Sequence, residues 1–246
     1  MEVHVWQWTL SGKWPEQNEA ALTLDERERA TRFRFRRDQQ RFVAARLGLR
    51  AVLGRYLGVR PGLIVLGYGA LGKPHSITQP PGWHLLFNLS HSDDEAVLAV
   101  GDGVEIGVDI ERSRSLEFDL APLILSAAEQ DKAARLAPER EKALLLSAWT
   151  CKEACLKALG TGFLLSPRTF EFDLDPLGTP HLISVGGDAA EAAQWSVVPL
   201  DAPPGFVASL AGRRRGLRAV CRSPGNACGH VAASPWAGSS HTISKV

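Results

Sequence analysis

The chain has 246 residues, a formal charge of +1 and 45% hydrophobic residues, proportions that fit one large globular domain or two small ones. The near-neutral charge excludes a whole-surface electrostatic footprint for nucleic acid, and no apolar run reaches the roughly 20 residues that cross a bilayer. The N-terminus lacks the basic-then-apolar order of a secretory leader, and four cysteines, two of them one helical turn apart, make no disulfide framework, so a cytoplasmic setting is expected.

Val3 to Leu10 reads as a first strand, rich in β-branched and aromatic residues. Thr23 and Glu26 form a capping box for a helix to about Phe35. Asp38 is the expected N-cap of a second helix to about Leu57, with Phe42, Ala45, Leu49, Val52, Leu53 and Tyr56 at helical spacing. Leu63 to Tyr68 is expected as a strand, and Gly72-Lys73-Pro74 and Pro80-Pro81-Gly82 as turns. Leu85–Leu89 and Ala96–Val100 read as a hairpin, and Glu105–Ile110 as the next strand after the Gly101-Asp102-Gly103 break.

The order then recurs. Ser126 and Glu129 make a second capping box, and Pro138 suits the first turn of a long helix to about Leu159, stopped by Gly160. Strands are expected near Phe170–Phe172, His181–Val185, Gln194–Val198 and Phe206–Leu210. The last hairpin echoes the earlier one, which gives a weak internal repeat of two α+β halves, 1–103 and 104–212. From Arg213 the chain loses periodicity, and 213–246 is expected to be a disordered tail.

Asp109 and Glu111, two apart, share one face of a strand whose apolar residues Ile106, Val108 and Ile110 belong to the other face. Taken alone they could be a solvated strand end. Glu153 and Lys157, four apart, could be an ordinary helical ion pair, yet Trp149 lies on the same row and the opposite stripe is apolar, so this row is expected to border a cleft. Three hard carboxylates and an ammonium suit Mg²⁺ and a phosphate-bearing ligand. Cys151 and Cys155 read as small core residues, and Cys221, Cys228 and His230 as no zinc site.

Gly107-Val108-Asp109-Ile110-Glu111 and Trp149-Thr150-Cys151-Lys152-Glu153-Ala154-Cys155-Leu156-Lys157 resemble the two signature motifs of the 4′-phosphopantetheinyl transferases. Phe87-Asn88-Leu89-Ser90-His91-Ser92 resembles a third hallmark, and Gly72-Lys73-Pro74 with the arginine-rich helices a fourth region. The resemblance runs from about residue 1 to Gly212 and is to the larger, surfactin-synthetase-activating type. It implies an α+β fold of two pseudo-symmetric halves, each a small, mostly antiparallel sheet packed with helices, and an active site between them.

The resemblance also implies transfer of the phosphopantetheine arm of coenzyme A to a serine of an apo acyl or peptidyl carrier protein, with release of 3′,5′-ADP. Asp109, Glu111 and Glu153 would then hold Mg²⁺, Lys157 would neutralise phosphate charge, and Glu153 would take the serine proton, with Glu129 in reserve. Arg29, Arg41, Arg46, Lys73, Ser90, His91 and Lys152 would contact coenzyme A. Eleven arginines and no lysine between Arg27 and Arg60 suit phosphates, although Glu26 stands where some relatives carry lysine. No nucleic acid or membrane is expected as a partner, and fused halves suit a monomer. The competing readings are a metal-dependent phosphohydrolase of a coenzyme A-like nucleotide and a non-catalytic coenzyme A- or carrier-binding module.

Overall fold

A computed structural model describes residues 1–11, 20–79, 84–113, 120–174 and 179–222. The first half contains β1 (Glu2–Thr9), α1 (Leu24–Thr31), α2 (Arg36–Leu57), β2 (Leu66–Tyr68), β3 (Pro74–Ser76), β4 (Leu85–Ser92) and β5 (Glu95–Asp102). The second contains β6 (Ile106–Arg112), α3 (Ala121–Ile124), α4 (Ala127–Ala133), α5 (Pro138–Leu159), β7 (Phe170–Asp173), β8 (His181–Val185), α6 (Ala189–Ala192), β9 (Ser196–Leu200) and β10 (Phe206–Gly212). β11 (Arg218–Arg222) follows.

The halves share a common plan, to which the second adds the short helices α3 and α6. β1, β5 and β4 form an antiparallel sheet with the last strand in the middle, and β6, β10 and β9 form its counterpart. Each half has a two-stranded hairpin, β2–β3 or β7–β8. Each has a short helix entered through a capping box, at Thr23–Glu26 or Ser126–Glu129. Each also has a 22-residue helix ended by a left-handed glycine, Gly58 (φ 65°) or Gly160 (φ 68°), a conformation that glycine reaches without steric cost.

Period-2 alternation builds the layers. His4, Trp6 and Trp8 point from β1 toward α2, and Trp6 and Trp8 join a core with Leu49, Leu53, Tyr56 and Leu98. The alternate residues Val3 and Val5 meet Val97, Ile106, Val108, Ile110 and Leu210 between the two sheets. The outer face of the second sheet is covered by α5, whose Leu145, Ala148, Cys151 and Cys155 are buried with Phe170, Phe172 and Trp195. The order of layers is therefore helix, sheet, sheet, helix, an α+β arrangement.

Three expectations need correction. α2 starts at Arg36 with Phe35 at its cap, so Asp38 lies in the first turn instead of at the cap, where its charge still complements the helix dipole. Pro61–Leu63 is a 3₁₀ turn, which shortens the expected 63–68 strand to Leu66–Tyr68. The expected tail is ordered at its start: Arg218–Arg222 pairs in parallel with Glu2–Trp6 of the first sheet, and backbone pairing along β1 organises these residues despite their lack of periodicity. The Pro80-Pro81-Gly82 turn, Cys228, His230 and positions 223–246 lie outside the described residues.

Candidate active site

The site forms where α5 crosses β6. Pro138 opens α5, Glu139 and Glu141 occupy its first turn and Lys157 its last, an order that matches the helix dipole. The helix lies directly on the strand at Gly107: a Cβ there would be 2.0 Å from the Ala154 carbonyl oxygen and 2.4 Å from the Ala158 nitrogen. The missing side chain lets Glu153 and Lys157 reach the carboxylates that follow on β6.

Lys157 Nζ donates to Asp109 Oδ1 at 2.5 Å and to Ser90 Oγ at 3.0 Å, and Ser90 donates to the same Asp109 oxygen at 2.9 Å. Asp109 is 2% exposed. Glu111 accepts from Ser92 Oγ at 2.9 Å and from Trp149 Nε1 at 3.4 Å. Asp109 Oδ2 and Glu153 Oε1 are buried without a hydrogen-bond partner. Burial raises the pKa of all three acids, and the mutual repulsion of their charges adds to it for Glu111 and Glu153; Glu153 reaches about 7 although Lys157 pulls it down.

Among the described residues no group of three or more acid, imidazole or thiol side chains is already arranged to hold a metal ion. The cluster is open, with Lys157 already on one oxygen of Asp109. Two orphaned carboxylate oxygens and hard donors throughout nevertheless fit a divalent cation that keeps several waters.

Sequence reasoning placed two further residues here that the structure removes. Glu129 is 3% exposed and fully engaged: it closes the Ser126 cap, accepts the Phe172 N–H and takes Lys152 Nζ at 2.5 Å. Lys152 is fully buried and also donates to the Ile124 carbonyl. The first half contains the same device. Glu26 closes the Thr23 cap and accepts Arg50 Nε at 2.7 Å, and Arg50 donates to the Pro61 and Ile64 carbonyls. Arg50 and Lys152 hold the same position, the fifteenth residue, of their two long helices. Glu129 and Lys152 are thus a duplicated structural pair, and Glu26 is the partner of Arg50.

The expected coenzyme contacts are dispersed. Arg29 and Arg46 line a cavity of about 900 Å³ together with Arg32, Phe33 and Tyr68. Arg46 donates to Tyr68 Oη and lies 3.2 Å from Glu26. Arg41 is absent from that lining; its guanidinium is held by Asp94 at 2.8 Å and Asp93 at 3.5 Å. Lys73 ties the β2–β3 turn to the second half, through Glu105 at 2.6 Å, the Ala158 carbonyl at 2.9 Å and the Ile106 carbonyl at 3.3 Å. Ser90 is buried and His91 exposed, on opposite faces of β4. His91 keeps solvent on one side, but desolvation by the wall beside it, then the charges of Lys157 and Arg41, lower its pKa.

Sequence reasoning gave no role to Asn88, Ser92, Asp93 or Arg112. Asn88 Oδ1 accepts the Val108 N–H at 2.8 Å, and Ser92 Oγ accepts the Arg112 N–H at 3.2 Å. These side chains bridge β4 to β6, which share no backbone ladder. The available signal was the polar alternation Asn88, Ser90, Ser92 set against apolar Leu85, Phe87 and Leu89.

Two family profiles divide the chain at the seam. One, the 4′-phosphopantetheinyl transferase superfamily, matches residues 105–211, and the other, an N-terminal 4′-phosphopantetheinyl transferase family, matches residues 6–102. The 4′-phosphopantetheinyl transferase HetI of Nostoc sp. is 36% identical over 214 residues, covering 85% of this chain and 87% of its own length. The 4′-phosphopantetheinyl transferase psf-1 of Bacillus pumilus is 32% identical over 167 residues, covering 68% and 70%. A crystal structure of Thermotoga maritima holo-[acyl-carrier-protein] synthase aligns with 46% of this chain and 64% of its own at 25% identity and a TM-score of 0.36. With a relative matched over nearly its whole length and both halves matched separately, the chain belongs to the 4′-phosphopantetheinyl transferase superfamily and is an enzyme of that class.

Proposed function

We propose that this chain transfers the 4′-phosphopantetheine arm of coenzyme A to a serine hydroxyl of an apo acyl or peptidyl carrier protein, with Mg²⁺ held by Asp109, Glu111 and Glu153 and 3′,5′-ADP released. The reading rests above all on one observation: an ammonium and three carboxylates meet at the seam, with Asp109 Oδ2 and Glu153 Oε1 buried and unpartnered. When bound, Mg²⁺ supplies Lewis-acid stabilisation of the pyrophosphate charge.

The residues of the chain do the rest. Lys157 is 29% exposed while Asp109 is 2% exposed, so its open side can bind a phosphate oxygen. Glu153, on the same face of α5 as Lys157 and with Oε1 unpartnered, is the group placed to take the serine proton. The serine oxygen forms the new P–O bond, the bond from that phosphorus to the bridging oxygen breaks, and 3′,5′-ADP leaves with the electron pair. The arginine-lined cavity of about 900 Å³ beside Arg29 and Arg46 suits the phosphorylated nucleoside end. Two halves in one chain, divided as 1–103 and 104–212, support the surfactin-synthetase-activating type acting as a monomer. A cytoplasmic place accords with buried free thiols at Cys151 and Cys155; among the described residues no helix is long and apolar enough to cross a membrane.

The test is the mass of an apo carrier domain after incubation with the protein, coenzyme A and Mg²⁺. A gain of one phosphopantetheine arm is expected. No gain across several carriers would overturn the proposal, and coenzyme A hydrolysed without a modified carrier would point to a phosphohydrolase.

A further inference from the structure

The β4–β5 turn is held from both halves. Asp93 stands in the left-handed region at φ 48°, a conformation uncommon outside glycine. From the first half, Arg41 Nε donates to Asp94 Oδ1 at 2.8 Å and Arg41 Nη2 to Asp93 Oδ1 at 3.5 Å. From the second half, Arg112 Nη1 donates to Asp93 Oδ2 at 2.7 Å. Ser92 is the last residue of β4, immediately before this clamped turn.

Its hydroxyl is used in both directions. It accepts the backbone N–H of Arg112 at 3.2 Å and donates to Glu111 Oε2 at 2.9 Å. A hydroxyl has one hydrogen to give; with that hydrogen on Glu111, the Arg112 amide occupies a lone pair and fixes the direction of donation. The other oxygen of Glu111 faces Trp149 Nε1 at 3.4 Å, the longer and weaker of the two contacts. Ser92 therefore sets the orientation of a carboxylate that has no ion pair among the described residues.

We propose that Ser92 is a positioning residue for Glu111: its hydroxyl, fixed by the Arg112 amide and by the Arg41–Asp93–Arg112 clamp, aims the Glu111 carboxylate at the cation site. The proposal rests on the reading of Asp109, Glu111 and Glu153 as the Mg²⁺ ligands. Partners of this kind are worth about 10–100-fold in metal affinity when removed.

Valine and threonine have the same shape, so Ser92→Val and Ser92→Thr separate the hydroxyl from the space it fills. Mg²⁺ is titrated calorimetrically into the full chain with coenzyme A present, and Tm is recorded alongside. Ser92→Val is expected to lower Tm modestly, because the Arg112 N–H loses its acceptor, and to weaken Mg²⁺ about tenfold in the folded protein, raising the Mg²⁺ needed for half-maximal transfer while leaving kcat at saturating Mg²⁺. Ser92→Thr is expected to bind like the wild type. Should Ser92→Val fail to fold, Ser92→Cys, a weaker donor of serine's shape, is read in the same way. Wild-type Mg²⁺ affinity in Ser92→Val, or equal weakening in the valine and threonine variants, overturns the proposal. Glu111→Gln serves as the control for the underlying reading: if it binds Mg²⁺ unchanged, Glu111 is no ligand and that reading falls whatever Ser92 does.

Discussion

Gly107→Ala tests the contact that seats α5 on β6. The added Cβ would lie 2.0 Å from the Ala154 carbonyl oxygen, about 1.4 Å short of the 3.4 Å at which ordinary contact begins. Neither the Ala154 carbonyl nor the Ala158 nitrogen at 2.4 Å can rotate away, because both belong to the backbone of α5. The helix and strand must therefore separate. Overpacking of this kind costs about 1–3 kcal/mol, or roughly 2–12 °C in Tm for a chain of this size. The functional loss should be larger, since Glu153 and Lys157 ride on the displaced helix and a misplacement near 1 Å can cost about 100-fold in rate. Thermal melting and a transfer assay with an apo carrier read the two effects separately. Gly62→Ala is the control, because its added Cβ would meet nothing closer than 3.5 Å. Gly107→Ala with wild-type melting would refute the packing argument, and a destabilised variant with wild-type turnover would refute the link from packing to positioning.

Lys152→Met should cost about 3–5 kcal/mol in urea unfolding, because it strands a buried Glu129 carboxylate; coenzyme A affinity in the folded fraction should stay near wild type, and a selective loss of that affinity would restore Lys152 as a contact. Glu153→Gln should abolish transfer while calorimetry still shows coenzyme A binding; turnover at the wild-type rate would strip Glu153 of its role. The pH dependence has a definite sign. Glu153 is raised from 4.5 to about 7 in the folded chain, so the folded state holds this proton more tightly than the unfolded state. Its contribution to metal-free stability is greatest below about 4.5 and is lost as pH rises toward 7. The difference in Tm between Mg²⁺-containing and chelator-treated samples should therefore widen from about pH 5 to pH 8; a constant difference would count against a ligand role for Glu153.

Local chemistry was readable in the sequence, and long-range chemistry was not. The capping boxes at Thr23 and Ser126, the Pro138 start and Gly160 stop of α5, and β8 at His181–Val185 all appear where short-range patterns put them. That Asp109 and Glu111 share one face of β6, and Glu153 and Lys157 one face of α5, was legible because spacing on a strand and on a helix fixes which face each side chain occupies. Glu129 and Lys152 were misread because adjacency to the motif says nothing of burial, and their partners are each other. Arg41 and Lys73 were assigned to coenzyme A, and their acid partners Asp93, Asp94 and Glu105 meet them only in space. β11 had no periodic signal of its own, since its order comes from the β1 backbone it pairs with.

The seam also determines how the protein could be divided. A cut between β5 and β6 would put Ser90 and Ser92 on one fragment and Asp109, Glu111, Glu153 and Lys157 on the other. The second fragment would also carry β11, whose place is beside β1 in the first fragment's sheet, and the Met1 ammonium donates to Gly216 of that second fragment at 2.9 Å. β11 would act as a docking strand, and neither piece would own a whole site. The fold is thus laid out for fragment complementation, in which turnover reports that the two pieces have met.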